Sequence, residues 1–335
     1  MVHNRGMPIQ INPSKIPIWV DENQLQLGTE AHAQVLQHVT NGQERLIELL
    51  FNGVAKEQLG LVGESVGLTA QESNELVEAL RPSLLREPSG SQHSTPIDVR
   101  FAELIRIGFK TGQAPGEVLA NRAKYTIHIE KLNRTGLTLI RVLSEIGFRT
   151  FTTDDFGLVG GDDEGELGYP PSLRGVARSA AVRALLELNP EKISLEHQTR
   201  KQNSAFKLSI ITGNHRLMPT DYRNLKNAHV AIEYRIEATF ISGVTVPGKT
   251  PCLGCRELWF AEHNPGWFSN SVQLLSRGDT LDDGQNLLVA VAQTAKNICE
   301  FVDFGTFGMG YNLELENNNV VEQSHQFHPG CSCKN

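Results

Sequence analysis

Four of the five cysteines stand in two close pairs, Cys252 and Cys255 in Pro251-Cys-Leu-Gly-Cys255, and Cys331 and Cys333 in His328-Pro-Gly-Cys-Ser-Cys333. Tetrahedral zinc takes four thiolates, and a C-x-x-C turn presents two of them from one tight loop. A second pair from a distant stretch then ties that stretch to the body of the fold. Two local disulfides or free thiols are the competing readings. The disulfides are disfavoured because a C-x-C bridge is strained, and because the opening residues Met1-Val-His-Asn-Arg-Gly-Met-Pro8 hold no apolar signal core. The expectation is a structural Zn2+ held by Cys252, Cys255, Cys331 and Cys333, in a cytoplasmic protein whose thiols stay reduced. Cys299 lies in the apolar run Leu287–Cys299 and is expected in the core.

At 335 residues the chain is long enough for two domains. A net charge of −7 argues against non-specific nucleic-acid binding. No apolar run approaches the length of a membrane span. In the first hundred residues, Ile16–Val20 and Gln24–Gly28 read as strands joined by Asp21-Glu-Asn23. Helical stretches follow over 31–39, over 43–50 with Asn52-Gly53 as its stop, and over 70–80 behind the capping box Thr69-Ala-Gln-Glu72. A further short helix fits within 56–67. A hairpin followed by short helices predicts a small α+β winged-helix module. Arg86–Pro96 is rich in Pro, Ser and Gly, so the predicted division is a module over 1–86, a linker over 87–98 and an α/β domain over 99–335.

The α/β domain opens with a strand over Lys124–Glu130, a turn over Lys131–Gly136, a helix over Leu137–Ile146 and a strand over Phe148–Thr153 that closes in Asp154-Asp155. This is the layout of a dinucleotide-binding βαβ unit, whose turn should read G-x-G-x-x-G. Lys131, Asn133 and Gly136 hold those positions, so only the third glycine is present. Side chains at the first two obstruct phosphates from the backbone N–H groups. Asp155, 19 residues beyond Gly136, suits a ribose hydroxyl or an ordinary turn equally well. Further along, Leu173–Pro190 reads as a helix, and Phe206–Thr212, Ala228–Tyr234 and Thr239–Val246 as strands. Asp162-Asp163-Glu164 reads as a solvated loop, and Trp259 and Trp267 as packing or interface anchors. His328 stands near the thiols, but four cysteines already fill a structural site. No H-E-x-x-H, G-x-S-x-G or Walker A pattern is present.

The strand-turn-helix-strand ending in Asp, the helix opened by Gly175-x-x-Arg178 and closed by Leu188-Asn-Pro190, and the late C-x-x-C completed by Cys331 and Cys333 resemble the ThiF/MoeB superfamily of adenylating enzymes. Val246-Pro-Gly-Lys-Thr-Pro-Cys-Leu-Gly-Cys255, Asn264-Pro-Gly-Trp267, Gln273-Leu274 and His328–Cys333 resemble in particular the ThiF-like partner proteins of bacteriocin and azole-peptide clusters. The similarity runs over roughly residues 10 to 333. It implies a Rossmann-like ThiF-type domain with a zinc knuckle, behind a PqqD-like leader-peptide recognition module. Such a module takes an extended peptide as an added strand, which places the peptide on Trp19, Val20, Gln24, Leu25, Gln26 and Leu27.

Position by position, the resemblance carries nucleotide binding onto Asn133, Gly136 and Asp155, and a catalytic cation onto Arg178. Gly157 stands where a second acid is expected, and Thr212-Gly213-Asn214 lacks the acid that helps hold magnesium. No catalytic residue is therefore assigned; if the chemistry survives, Arg178, Asp155 and Arg134 handle the nucleotide. ATP and Mg2+ are disfavoured as cofactors. The implied partners are a precursor peptide, a YcaO-type or other modifying enzyme, and a second copy in a homodimer, with no nucleic acid and no membrane. The favoured function is a non-catalytic partner that captures a leader peptide and presents it. The alternatives are an ATP-dependent adenylyltransferase acting on a carboxylate and a dimeric scaffold.

Overall fold

The computed structural model describes residues 8–30, 33–85, 101–186, 193–197, 207–223, 225–277, 280–308, 310–314, 319–323 and 326–334. The expected linker over 87–98 lies outside them, as does Leu188-Asn-Pro190. The backbone divides into two compact units, Met1–Ala120 and Asn121–Asn335.

The first unit begins with an antiparallel sheet of three strands, β1 (Pro17–Asp21), β2 (Gln24–Leu27) and β3 (Gln34–Gln37), in that spatial order. The helix expected over 31–39 is corrected here. Gln34-Val-Leu-Gln37 pairs with β2 in register Gln24↔Gln37 to Leu27↔Gln34 and gives β2 a partner on its second side. Helices α1 (Asn41–Asn52), α2 (Leu59–Ser65), α3 (Ala70–Leu80) and α4 (Phe101–Thr111) follow, and α5 (Pro115–Ala123) begins in the first unit and ends in the second. Both α1 and α3 start in complete capping boxes, Thr40 with Gln43 and Thr69 with Glu72, so two orphan donors at each start are satisfied locally. Gly53 ends α1 at φ 87°, a backbone region that a side chain would strain, and its N–H bonds the Leu50 carbonyl. Leu25 and Leu27 of the sheet meet Leu46, Ile47 and Leu50 of α1 and Leu76 and Leu80 of α3 in one core.

The second unit is built on β4 (Thr126–Ile129), α6 (Arg134–Glu145), β5 (Thr150–Thr153), α7 (Arg178–Leu185), β6 (Ser194–His197), β7 (Leu208–Asn214), α8 (Pro219–Tyr222), β8 (Ala228–Tyr234), β9 (Ala238–Ile241), α9 (Leu253–His263), α10 (Trp267–Val272), α11 (Gly284–Phe304), β10 (Gly310–Glu314) and β11 (Asn319–Gln323). Its sheet runs β11-β10-β9-β8-β7-β4-β5-β6. The five strands from β6 to β8 are parallel, and β9, β10 and β11 extend them antiparallel. Chain order reverses direction between β4 and β7, which is where open α/β sheets place their ligands. β8 is buried along its whole length, as a strand covered on both faces must be. Leu139, Ile140 and Leu143 of α6 share a core with Leu287, Val291 and Ile298 of α11, and half-buried Cys299 packs against it.

Several boundaries move: α6 begins at Arg134 rather than Leu137, and β7 runs on to Asn214. The helix expected from Leu173 begins at Arg178, because a 3-10 turn over Pro171–Leu173 and Gly175 at φ 79° precede it. The strand expected over Thr239–Val246 ends at Ile241, and Thr245 returns to pair singly with His229. The bend needs Gly243, where a Cβ would sit 2.9 Å from the Gly308 carbonyl oxygen.

The second unit also holds a buried ion pair. Arg122 donates from Nη2 to Asp303 Oδ2 at 2.6 Å and from Nε to Oδ1 at 3.1 Å, with the side chains only 4% and 3% exposed. Removing one partner strands a charge away from water. Asp303→Asn is therefore expected to cost about 3–5 kcal/mol in urea unfolding; a cost near zero would show that the pair is hydrated in solution.

Candidate functional site

The chain leaves β4 at Ile129, turns through 130–133 and enters α6. Asn133 caps that helix in extended conformation, and its Oδ1 accepts the Gly136 N–H at 3.1 Å. That N–H is one a phosphate would otherwise take. Gly136 itself is fixed by packing, since a Cβ there would lie 2.1 Å from the Lys131 carbonyl oxygen. This is the role of the third glycine of such turns. Lys131 reaches across the switch point and donates from Nζ to the Thr212 carbonyl at the end of β7, at 3.2 Å.

Asp155 follows β5. Its Oδ2 accepts the Leu132 N–H at 2.7 Å and its Oδ1 accepts the Gly157 N–H at 2.6 Å. Arg178, at the start of α7, bridges two buried carboxylates. It donates from Nε and Nη2 to Asp163 Oδ2 at 2.9 and 2.8 Å, and from Nη1 to Asp155 Oδ2 at 3.4 Å. The loop expected to be solvated is therefore corrected at Asp163, which is buried and also accepts the Gly160 N–H. Glu164 pairs with Arg174 at 2.8 Å. A Cβ at Gly157 would stand 2.9 Å from Arg178 Nη1 and 2.8 Å from Asp155 Oδ1, so a side chain there would have to displace the ends of these two side chains.

Asp282 also belongs to this site and was not legible in the sequence. It is buried against the N-terminal turn of α6, where Thr135 donates to its Oδ2 at 3.4 Å and Arg134 Nη1 donates to its carbonyl at 3.1 Å. Tyr234 Oη lies 2.9 Å from Thr135 Oγ1. Within Thr212-Gly213-Asn214, which lacks the acid that the resemblance expects, the Asn214 Oδ1 accepts the Leu281 N–H at 3.2 Å and pins that segment. Burial raises the Asp282 carboxyl above its ordinary value, and Arg134 opposes that shift. The following Asp283 is the N-cap of α11, so a reader of the sequence assigns the acid pair to capping alone. Arg134 Nε and Thr212 Oγ1 are buried with no hydrogen-bond partner. Asn133, Asp155, Gly136, Arg134 and Arg178 thus do converge on one end of the sheet, but most of their bonding capacity goes to the protein itself.

A separate centre gathers the thiols. Cys252 precedes α9 as its N-cap residue, and Cys255 lies in the first turn. The four Sγ atoms of Cys252, Cys255, Cys331 and Cys333 all lie within 4.8 Å of one another. Cys252 and Cys331 approach to 3.6 Å, and Cys255 and Cys333 to 3.3 Å. Zinc–thiolate bonds of about 2.3 Å require tetrahedral edges of roughly 3.8 Å, so the set fits such an ion with small adjustments. The ligands are the chain's only close thiols among the described residues. Burial pushes the Cys252 thiol up, so a metal must displace a proton there. The two tryptophans act as anchors. Trp259 Nε1 donates to the Gln326 carbonyl at 3.1 Å, and Trp267 Nε1 donates to Glu257 Oε2 at 3.1 Å beneath the Arg216 guanidinium.

In the first unit the six residues expected to meet a peptide divide. Trp19 and Val20 on edge strand β1 are 43% and 56% exposed, while Leu25 and Leu27 are 2% and 0% exposed and belong to the core. Gln24 and Gln26 are half-buried. Ile18 on β1 and Ile16 just before it are also exposed.

No protein-family model and no curated protein matches the sequence. Solved structures match over nearly the whole chain. Escherichia coli MccB with ATP is 12% identical, covering 98% of this chain and 100% of that one, at a TM-score of 0.64. The microcin C7 biosynthetic enzyme MccB in complex with N-formylated MccA is 12% identical over the same shares, at 0.65. PaaA is 13% identical, covering 93% of this chain and 98% of that one, at 0.61. The chain therefore shares the fold of MccB and PaaA over nearly its whole length. Among the described residues no helix is long and apolar enough to cross a membrane.

Proposed function

We propose that the chain is a ThiF-like partner protein that binds a ribosomal precursor peptide through its first unit and presents it to a modifying enzyme, such as a YcaO-type cyclodehydratase, without ATP chemistry of its own. The observation that carries the non-catalytic part is the filled phosphate turn. Asn133 caps the donor, Asp282 occupies the helix start, and Arg178 is neutralised by Asp155 and Asp163. Attack of a carboxylate on the α-phosphorus of ATP, with pyrophosphate leaving, needs donors and a metal aimed at the developing charge, and these groups are aimed at one another. The peptide part draws on the fold shared with MccB, whose complex with N-formylated MccA holds a chain that carries the mark of a ribosomal start. The exposed apolar edge of β1 offers the unpaired backbone that strand addition uses. The first unit is read as a winged-helix-like, PqqD-type module on the same ground. The four thiols hold a structural Zn2+, and the protein acts in the cytoplasm as a homodimer.

The adenylyltransferase reading keeps one observation in its favour, the unpartnered Arg134 Nε and Thr212 Oγ1 at the strand ends. The two readings part in a calorimetric titration of the zinc-checked full chain with ATP and Mg2+. The pseudo-enzyme reading expects no heat at millimolar ATP and no carboxylate-dependent pyrophosphate exchange. Micromolar, magnesium-dependent binding would show that Asn133 and Asp282 give way to phosphate, and would move the assignment to the adenylyltransferase.

A further inference from the structure

Helix α9 serves the thiol centre at both of its ends. Its first turn carries Cys252 and Cys255, and its last turn holds the segment that brings Cys331 and Cys333. The holding contacts involve no sulfur. His328 is buried, and its Nε2 lies 2.9 Å from Glu262 Oε1. Its Nδ1 accepts the Gly330 N–H at 3.0 Å, which assigns the ring proton to Nε2 and makes that nitrogen the donor to Glu262. The His328 carbonyl accepts the Cys331 N–H at 3.0 Å, so one residue fixes both the turn and the first ligand of the second pair. The ring packs edge-on against Trp259 at 4.6 Å between centroids, and Trp259 in turn holds the Gln326 carbonyl.

We infer that His328, braced by Glu262 and Trp259, is a metal-independent latch that positions Cys331 and Cys333 for the ion. The inference rests on the zinc reading above only for its effect on affinity. In the metal-free protein the latch already sets the turn, so the ion closes a site whose second half is in place. Groups that orient ligands without touching the metal change metal affinity by about 10- to 100-fold when removed. Their loss also frees the turn before any metal arrives, a result that a purely metal-held segment would not give.

The test uses the full chain as wild type, His328→Ala and Glu262→Ala. Glu262 is half exposed, so its replacement keeps the latch testable should the histidine variant not fold. Zinc content and chelator competition give the affinity for Zn2+. Alkylation of the zinc-stripped proteins, followed cysteine by cysteine, gives the exposure of each thiol. The latch predicts zinc affinity weaker by about 10- to 100-fold in His328→Ala and by less in Glu262→Ala. It also predicts faster alkylation of Cys331 and Cys333, with Cys252 and Cys255 unchanged. Affinity and alkylation of both variants within about two-fold of wild type would overturn it. A wild type that takes up no zinc would defeat the metal reading alone, because the alkylation pattern of the zinc-free protein still decides the latch.

Discussion

If the four thiols hold zinc as proposed, Cys252→Ser is expected to abolish zinc uptake and to lower the melting temperature of the second unit by on the order of 10 °C, the shift that a loss of several kcal/mol gives in a domain of this size. The argument is local. Cys252 sits at the start of α9, opposite Cys331 at 3.6 Å, and an ion held by the four thiols would tie that start to Cys331 and Cys333. Structural zinc contributes directly to folding free energy. The main core, built from α6, α11 and the parallel strands, contains no residue of α9, so the loss should not unfold the sheet. Leu253 packs in a smaller cluster with Ile211, Leu217, Tyr222, Ala231 and Phe240, and that cluster should loosen with it. Thermal melting with metal analysis checks the claim. A soluble, metal-free Cys252→Ser protein that melts with wild type would remove zinc from the account of this fold.

The second large effect is expected at the opposite end of the chain. Trp19 and Ile18 stand side by side on β1, but on opposite faces of the sheet. Trp19 pairs with core residue Leu25, whereas Ile18 aligns with Gln26 and, beyond it, Val35. A strand added to β1 would therefore meet Trp19 on one face and Ile18 on the other, whereas Val35 lies on β3 at the far edge of the sheet. An aromatic anchor at the centre of such an interface commonly accounts for 2 kcal/mol or more, so Trp19→Ala should weaken precursor-peptide binding by about 30-fold or more. Because Trp19 is substantially exposed, stability should hardly change. The other edge is the control. On β3, Gln34 bonds the Ala79 carbonyl and accepts from Ser83 Oγ, tying that strand to the end of α3. Val35→Asp should have the smaller effect. Were Val35→Asp to abolish binding and Trp19→Ala to leave it intact, the peptide would belong on β3.

Features written in short-range chemistry were legible in the sequence. The capping box at Thr69, the stop at Gly53, the βαβ order around Gly136 and the paired cysteines each depend on residues a few positions apart. Features made by distant partners were not. Gln34–Gln37 is too short and too polar to announce a strand, and becomes one because β2 offers it an edge. Asp163 looked like part of an acidic loop until Arg178 folded over it. Asp282 lies 148 positions from Arg134, and nothing local marks it apart from its capping neighbour. His328 was read as a spare ligand beside four cysteines, whereas its bonds run to Glu262 and Gly330.

The central claim is that this chain binds a ribosomal precursor peptide and does not activate it. The most direct test is fluorescence-anisotropy titration of the full chain with labelled precursor peptides encoded beside its gene, with and without their leader segments, in parallel with an assay for AMP release from ATP. The account predicts saturable binding that disappears with the leader, and no AMP. Failure of every such peptide to bind, or peptide-dependent release of AMP, would contradict it.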